Sequence, residues 1–550
     1  MKAKKALALI LVIVMAISLL AACGEKDKTG GEAKTDPDKS GTAASGESIG
    51  EEIKVDQGTV DAITSNTVEV LNVAIPQDIG TFNPWKWKGQ GANQALHGIY
   101  QPLLHLVDGV YYPAIMKSDF TFSDDGLSMY CEIFDNVYDS AGNHLTVDDV
   151  IFSMNQSIAV WPELSDIIKD IVKTGDYTFT FEFQRKLYVA ELDSITRTFM
   201  VTEKAFKDSP DEMATTPVGT GQYVLDSYTS GYSATYTKRD GFWQTDATQI
   251  CARDMANVEK LNYYVISESA QRTIALEDGT IDICMSVSAE DRPNFDGKNG
   301  FKLVNVASKQ SLCAFYNVSD NSPCSDVNLR LAISYAISGD AVLQSVYNGT
   351  GNTVHEMSPS SAAGYDPAWD EEDNYFNYDV AAAKEYLAKS GYNGEELIIM
   401  CEPDATTSET AQLIQNFLTQ INVKSKVETY ETSVFSEYST NSNAWDIMID
   451  HNTTNVYWVQ ALYSNFSQTR YATGTGVNFV KDDELQRLLE LCMNEDTHTN
   501  ENLNTLHDYM IENCFAKALV NEVNVFVVPE EVQDVVLSYR GFIMSNACIF

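Results

Sequence analysis

Chemical machinery is what this sequence has least of. Its seven histidines make no HExxH and no H-x-H, its ten cysteines contain no C-x-x-C, and the G-x-S-x-G at residues 46–50 falls in a polar stretch with little to bury, without the strand and helix that raise a nucleophile. Those spacings hold zinc ions, raise nucleophiles or build redox couples, so no catalytic residue, metal or cofactor is expected. Binding is the expected role, and turnover of a captured solute would revive the enzymatic alternative. Basic charge is scarce as well: 37 Lys and Arg stand against 78 Asp and Glu, a formal charge of −41. No basic stripe stands out, which excludes a general nucleic-acid footprint, and the many acidic pairs read as a solvated face. Such a surface disfavours anionic ligands unless a local basic pocket overrides it.

Long apolar runs are few. The run at residues 6–19 follows Lys2, Lys4 and Lys5, is too short for a comfortable membrane span, and ends at Leu20-Ala21-Ala22-Cys23. That order reads as an export signal over 1–22, with Cys23 placed as the acceptor of a lipid anchor. An ordinary secretory signal beside an unrelated cysteine is the other reading. Residues 23–67 then hold the lipidated Cys23 and a Gly, Ser, Thr, Lys, Asp and Glu tether with little to bury. As a flexible coil of about 40 residues it would reach on the order of 35 Å. The remainder, 68–550, exceeds what one core normally supports, so two or more lobes are expected. Nine further cysteines are scattered through apolar runs. Buried free thiols are the default for them, with Cys313 and Cys324 the pair most suited to a bridge.

Residues 111–157 carry the sharpest pattern. Asp125-Gly126 separates Phe120-Thr121-Phe122 from Met129 to Ile133, as a tight hairpin requires, because glycine accepts a positive φ. A second turn falls at Ala141-Gly142-Asn143. Thr146 then precedes Asp148, Asp149 and the apolar Val150-Ile151-Phe152: a hydroxyl N-cap, then carboxylates at the positive end of a helix. Beyond this stretch, strands are expected at 68–75, 177–183, 258–266, 397–400, 424–429, 445–450, 518–528 and 535–539. A helical run is expected at 92–106, and helices at 189–196, 268–277, 326–337, 379–389, 410–420, 485–493 and 503–515. Strands alternating with helices argue for an α/β architecture.

The residues Asp124 to Leu127 and Leu145 to Ser153 resemble, nearly position for position, the extracellular solute-binding proteins of family 5, which serve peptide-type ABC importers. The likeness extends to Asn83-Pro84 after the first strand, to Pro217-Val218-Gly219-Thr220-Gly221, and to the helix around Arg330. It departs at Ile133 to Val137, where the family carries a basic element. The G-x-G at Gly219 and Gly221 lacks the third glycine and the Lys-Ser/Thr of a phosphate loop. The resemblance implies a large bilobal, periplasmic-binding-protein-like clamp of type II with an extra inserted lobe and mixed sheets flanked by helices. Its implied divisions are 68–100, 217–308 and 519–550 for lobe I, 101–216 for the inserted lobe II, and 309–518 for lobe III.

The same resemblance implies the ligand site. One edge falls at Lys88, Gly89 and Gln90, near Trp85 and Trp87, which alternatively pack between lobes. The other edge falls at Asp450, His451, Asn452, Thr453 and Asn455, followed by Tyr457 and Trp458. Peptide-binding members hold the peptide ammonium with a carboxylate where this chain has the neutral Asn455, so either Asp450 substitutes or the ligand is not a free-amine peptide. The expected ligand is a short peptide, delivered to a permease with cytosolic ATPases by a monomer lipid-anchored outside the membrane. An oligosaccharide stacked on Trp85, Trp87, Tyr457 and Trp458 is the alternative, and a signalling or adhesion lipoprotein a third.

Overall fold

The computed structural model describes residues 67–550 apart from 88, 108–109, 118, 190, 247–248, 286, 289, 372–374, 455, 470–478, 533, 538–542 and 550. The export signal, Cys23 and the tether thus lie outside the described residues, as do Lys88 and Asn455. Among the described residues no helix is long and apolar enough to cross a membrane.

One mixed sheet of eleven strands organises the molecule. Val68–Ile75 buries Leu71, Val73 and Ile75 and pairs in parallel with Val258–Val265 and Ile283–Met285. The sheet continues outward through Ser233–Lys238 to Tyr223–Thr229. In the other direction it passes through Ala516–Pro529 and Phe301–Tyr316 to Ile447–Thr453, Glu396–Cys401 and Lys424–Thr429. Phe301–Tyr316 and Ala516–Pro529 are the two long strands, paired from Leu303 opposite Val527 to Phe315 opposite Ala516. Their register breaks between Ala307 and Ser311. There Asn521 Nδ2 donates to the carbonyls of Gln310 (2.8 Å) and Ser308 (3.3 Å), supplying partners that the ladder has lost.

Separate apolar cores flank these strands. One gathers Leu71, Phe82, Tyr100, Tyr236 and Phe526. Further along the sheet, Trp445, Trp458 and Leu488 pack on one face, and Leu329, Ile414 and Ile447 on the other. The chain is therefore an α/β, bilobal fold. Arg330 sews the second lobe together: its buried guanidinium donates to the carbonyls of Cys324 (2.8 Å), Cys514 (2.9 Å) and Asn513 (2.6 Å). Gly219 and Gly221 serve close approach, since a Cβ there would lie 2.1 Å from the Ile99 carbonyl oxygen and 2.5 Å from that of Gly98. No phosphate cradle is needed to explain them.

The stretch 111–157 builds part of a smaller antiparallel sheet, ordered Thr121–Phe122, Ser128–Glu132, Thr178–Phe183, Ile168–Lys173. Gly126 takes φ 67° at the first turn, where Asp125 Oδ1 accepts the Leu127 N–H at 3.0 Å. Asp139 Oδ1 closes the second turn through the N–H groups of Ala141 (2.9 Å) and Asn143 (2.8 Å). Asp149 reaches back to the Thr146 N–H at 2.8 Å and so caps Val147–Val160. This sheet has its own core of Met129, Cys131, Met154, Phe179 and Phe181.

Two expectations change. The helix Gly89–Leu96 stops well short of residue 106, and Leu104–Val107 is a strand paired with Val110–Pro113. Pro102 disfavours helical backbone at Gln101, and the residues beyond it pair instead. No Cys313–Cys324 bridge forms: eight cysteines, these two included, are free and buried. Burial pushes the thiols of Cys251, Cys284 and Cys492 up to about 12, which keeps them unreactive.

The inserted region also touches the C-terminal half. Val189 N–H donates to the Met493 carbonyl (2.8 Å), Tyr188 bridges to Asn494, and Lys186 Nζ lies 2.6 Å from Asp496 Oδ2.

Candidate ligand cleft

Ile447–Thr453 is apolar at first, with Ile447, Met448 and Ile449 buried, and then turns polar. It pairs antiparallel with residues 310–316. Asn317 N–H donates to Asp446 (3.0 Å) and Thr454 N–H to Lys309 (2.8 Å), so the even-numbered residues spend their backbone groups on that neighbour. Alternation in an antiparallel ladder turns His451 and Thr453 the other way. On that other side Glu396–Cys401 runs parallel, in register only with Ile447 and Met448. Beyond it, no strand among the described residues covers the edge at 451–453. The His451 N–H is taken by the carboxylate of Asp450 at 2.7 Å. What remains is a strip of backbone donors and acceptors ready for an added strand.

Asp450 lies at the head of this strip. Burial pushes its carboxyl up to about 6, the His451 N–H opposes this, and Glu402 and Asp404 raise it further. His451 turns to the opposite face, where its Nε2 is 2.9 Å from Glu522 Oε1, which also accepts from Tyr347 at 2.8 Å. Burial would lower the His451 pKa, but the Glu522 hydrogen bond and charge outweigh it and hold the imidazole above its ordinary value.

The strip is fastened from behind by residues 356–358. Asn452 Nδ2 donates to the Met357 carbonyl (2.9 Å) and its Oδ1 accepts from Asn465 Nδ2 (2.6 Å); Thr454 shares a 2.7 Å hydrogen bond with Ser358. Trp458 Nε1 donates to Glu356 Oε2 at 2.8 Å. Glu356 Oε1 is 3.2 Å from both the Tyr375 hydroxyl and His507 Nε2, and Trp369 stacks on His507 at 4.4 Å. Trp458 is thus fully buried in the lobe core, with no face for a ligand in this conformation. Tyr457 is half-buried and edge-on to His498 at 5.3 Å.

On the other lobe, Trp85 is also a core residue, 2% exposed between Phe206 (5.2 Å) and Phe152 (6.1 Å). Gly89 and Gln90 open the helix Gly89–Leu96. Against this helix lies a cavity of about 320 Å³, with Trp87, Asn93 and His97 on one side and Asp193, Arg197 and Phe199 on the other. Tyr111 is half-buried beside Asp193 of this wall. Burial raises its phenol's pKa, Asp193 and the Tyr457 phenol raise it further, and Arg197 opposes them. The residues Asp450, His451, Asn452, Thr453 and Tyr457 therefore share one segment, whereas Trp85 and Trp458 sit in two separate cores. Asn93 and Arg197 carry no motif in the sequence, because they meet only through the fold.

A bilobal α/β clamp with an uncovered strand edge is the architecture of a solute-binding protein. Residues 110–474 match the bacterial extracellular solute-binding proteins, family 5 Middle, and the chain belongs to that family. It is 24% identical over 381 residues to heme-binding protein A of Haemophilus influenzae, covering 62% of this chain and 67% of that one. It is 23% identical over 315 residues to the dipeptide-binding protein of Escherichia coli, covering 52% and 56%. The chain thus spans little more than half the length of the second. Among solved structures, the oligopeptide-binding protein AppA from Bacillus subtilis in complex with a nonapeptide superposes with TM-score 0.71 at 16% identity, covering 88% of this chain and 99% of that one. The dipeptide-binding protein from Pseudoalteromonas sp. SM9913 in complex with Met-Leu gives 0.72 at 18%, covering 87% and 99%. At these identities the likeness shows the fold.

Proposed function

We propose that this chain is the substrate-binding lipoprotein of an ABC importer. It captures a short peptide between its lobes and hands it to a permease with cytosolic ATPases, working as a monomer held outside the membrane through Cys23. The observation that carries the ligand class is the uncovered edge at 451–453. An extended peptide is the ligand whose own backbone satisfies such a strip, while pockets take its side chains. Solved neighbours that hold a nonapeptide or Met-Leu point the same way. Lys88, Gly89 and Gln90 supply the opposing edge. Asp450, with Glu402 and Asp404 beside it, receives the peptide ammonium in place of the neutral Asn455. Burial of Trp85 and Trp458 leaves an oligosaccharide only Trp87 and Tyr457 to stack on, which favours the peptide.

Native mass spectrometry of the purified protein is expected to show a retained ladder of short peptides; a retained glycan would overturn the reading. Titration calorimetry should then find free-amine peptides bound about tenfold more tightly than their N-acetylated forms, the scale of one charge-assisted contact. Equal affinities would remove Asp450 from the site.

A further inference from the structure

The cavity against Gly89–Leu96 plays no part in the pairing of backbones, yet it is built to read something. Its walls are rings: Trp87, Trp161 and Phe199 line it, and His97 lies edge-on to Phe199 at 5.2 Å. Its charges cancel locally. Arg197 is 3.6 Å from the Asp193 carboxylate; Arg253 donates to the Leu106 carbonyl at 2.9 Å, and the buried carboxylate of Asp254 lies 3.0 Å from His105, which also lines the cavity. The cavity therefore asks for no net charge.

One polar group in this wall is unpaired. Asn93 is 4% exposed, and its Oδ1 is buried without a hydrogen-bond partner among the described residues. A buried carboxamide left unpaired is costly and rare in folded proteins, so an aromatic cavity that keeps one is poised for a partner from a ligand. Asn93 stands one helical turn beyond Gly89 and Gln90, the proposed edge, so the cavity lies within reach of a side chain from a peptide held there.

We infer that this cavity is a specificity subsite for a phenol-bearing side chain, tyrosine, with its ring among Trp87, Trp161 and Phe199 and its hydroxyl on the Asn93 carboxamide. A hydroxyl both donates and accepts, so it pairs with either end of that amide. Phenylalanine fills the cavity but leaves Asn93 unpaired; alanine does neither. The inference rests on the peptide reading.

The test is calorimetry with a host peptide carrying Tyr, Phe or Ala at each position in turn. At one position Tyr should bind about tenfold more tightly than Phe, as one buried hydrogen bond allows, and Phe more tightly than Ala. Asn93→Leu should bring the Tyr-to-Phe ratio to about one. Trp161→Ala, on the opposite wall, should weaken Tyr and Phe alike and supplies the readout if the first variant does not fold. Peptides that bind with Tyr, Phe and Ala equal at every position, or a Tyr preference that survives Asn93→Leu, would overturn the subsite while leaving the peptide reading intact. Failure of every peptide to bind would sink both.

Discussion

Behind the edge at 451–453, Asn452, Thr454 and Trp458 are each hydrogen-bonded to residues 356–358, and Glu356 is itself held by Tyr375 and His507. On the helix Gly89–Leu96, Asn93 Oδ1 is buried with no such partner among the described residues, as is Trp85 Nε1 in the turn before it. On the function proposed above, one wall of the cleft is finished before any ligand arrives, and the other is left incomplete. A clamp that accepts many backbones and discriminates among side chains needs both: a fixed rail for the shared main chain, and a wall whose polar groups are satisfied only by the right guest.

Substitutions on the two walls should therefore have opposite signs. The largest effect is expected from Trp458→Ala, which removes a fully buried indole and the donor to Glu356 Oε2; a loss of about 3–5 kcal/mol in denaturant unfolding is expected. A loss below 1 kcal/mol would mean the rail is not anchored there. Asp450→Asn comes next and sharpens the contrast, because this is the one group of the rail that burial strains. Its carboxyl titrates near 6 in the fold, above its unfolded value, so the folded state binds the extra proton and stability is lost as pH rises from about 4 to 6. Asn keeps the acceptor for His451, so the variant should gain about 3 kcal/mol at pH 7 and little at pH 4. A gain independent of pH would contradict this assignment. Ser358→Ala leaves the Thr454 hydroxyl buried and unpaired, for a loss of about 1 kcal/mol. On the opposite wall Asn93→Leu should instead stabilise the free protein by about 1 kcal/mol, since no buried amide then lacks a partner; a destabilised variant would show that this wall is finished too. The smallest effect on stability belongs to Lys186→Ala. Its ion pair with Asp496 is exposed, so the melting temperature should not move, while release of bound peptide in stopped-flow dilution should quicken.

What could be read from the sequence was local. The Asp125-Gly126 turn and the Thr146 cap follow from one backbone angle and from hydrogen bonds spanning three residues. The family resemblance, carried by such scaffold residues, gave the bilobal α/β fold. The helix ends at Leu96 and not at 106, since the apolar pattern that continues to 106 suits the strand Leu104–Val107 as well as a helix. The edge at Asp450 to Asn455 came only with the resemblance, since its being uncovered at 451–453 depends on how far the neighbouring Glu396–Cys401 extends. Trp458 was expected against the ligand and lies in the core, because the carboxylate that draws it inward, Glu356, is 102 residues away in the chain. The cavity around Asn93 draws its walls from separate segments that no periodicity links.

The contact of Tyr188 and Val189 with Met493 and Asn494 lies away from the strip and the cavity, and any parting of these two regions has to break it. Part of the barrier to release is then the same whichever peptide is inside. Residence times across a ligand series are expected to spread less than the equilibrium affinities, so that weakly held cargo still stays long enough to be delivered.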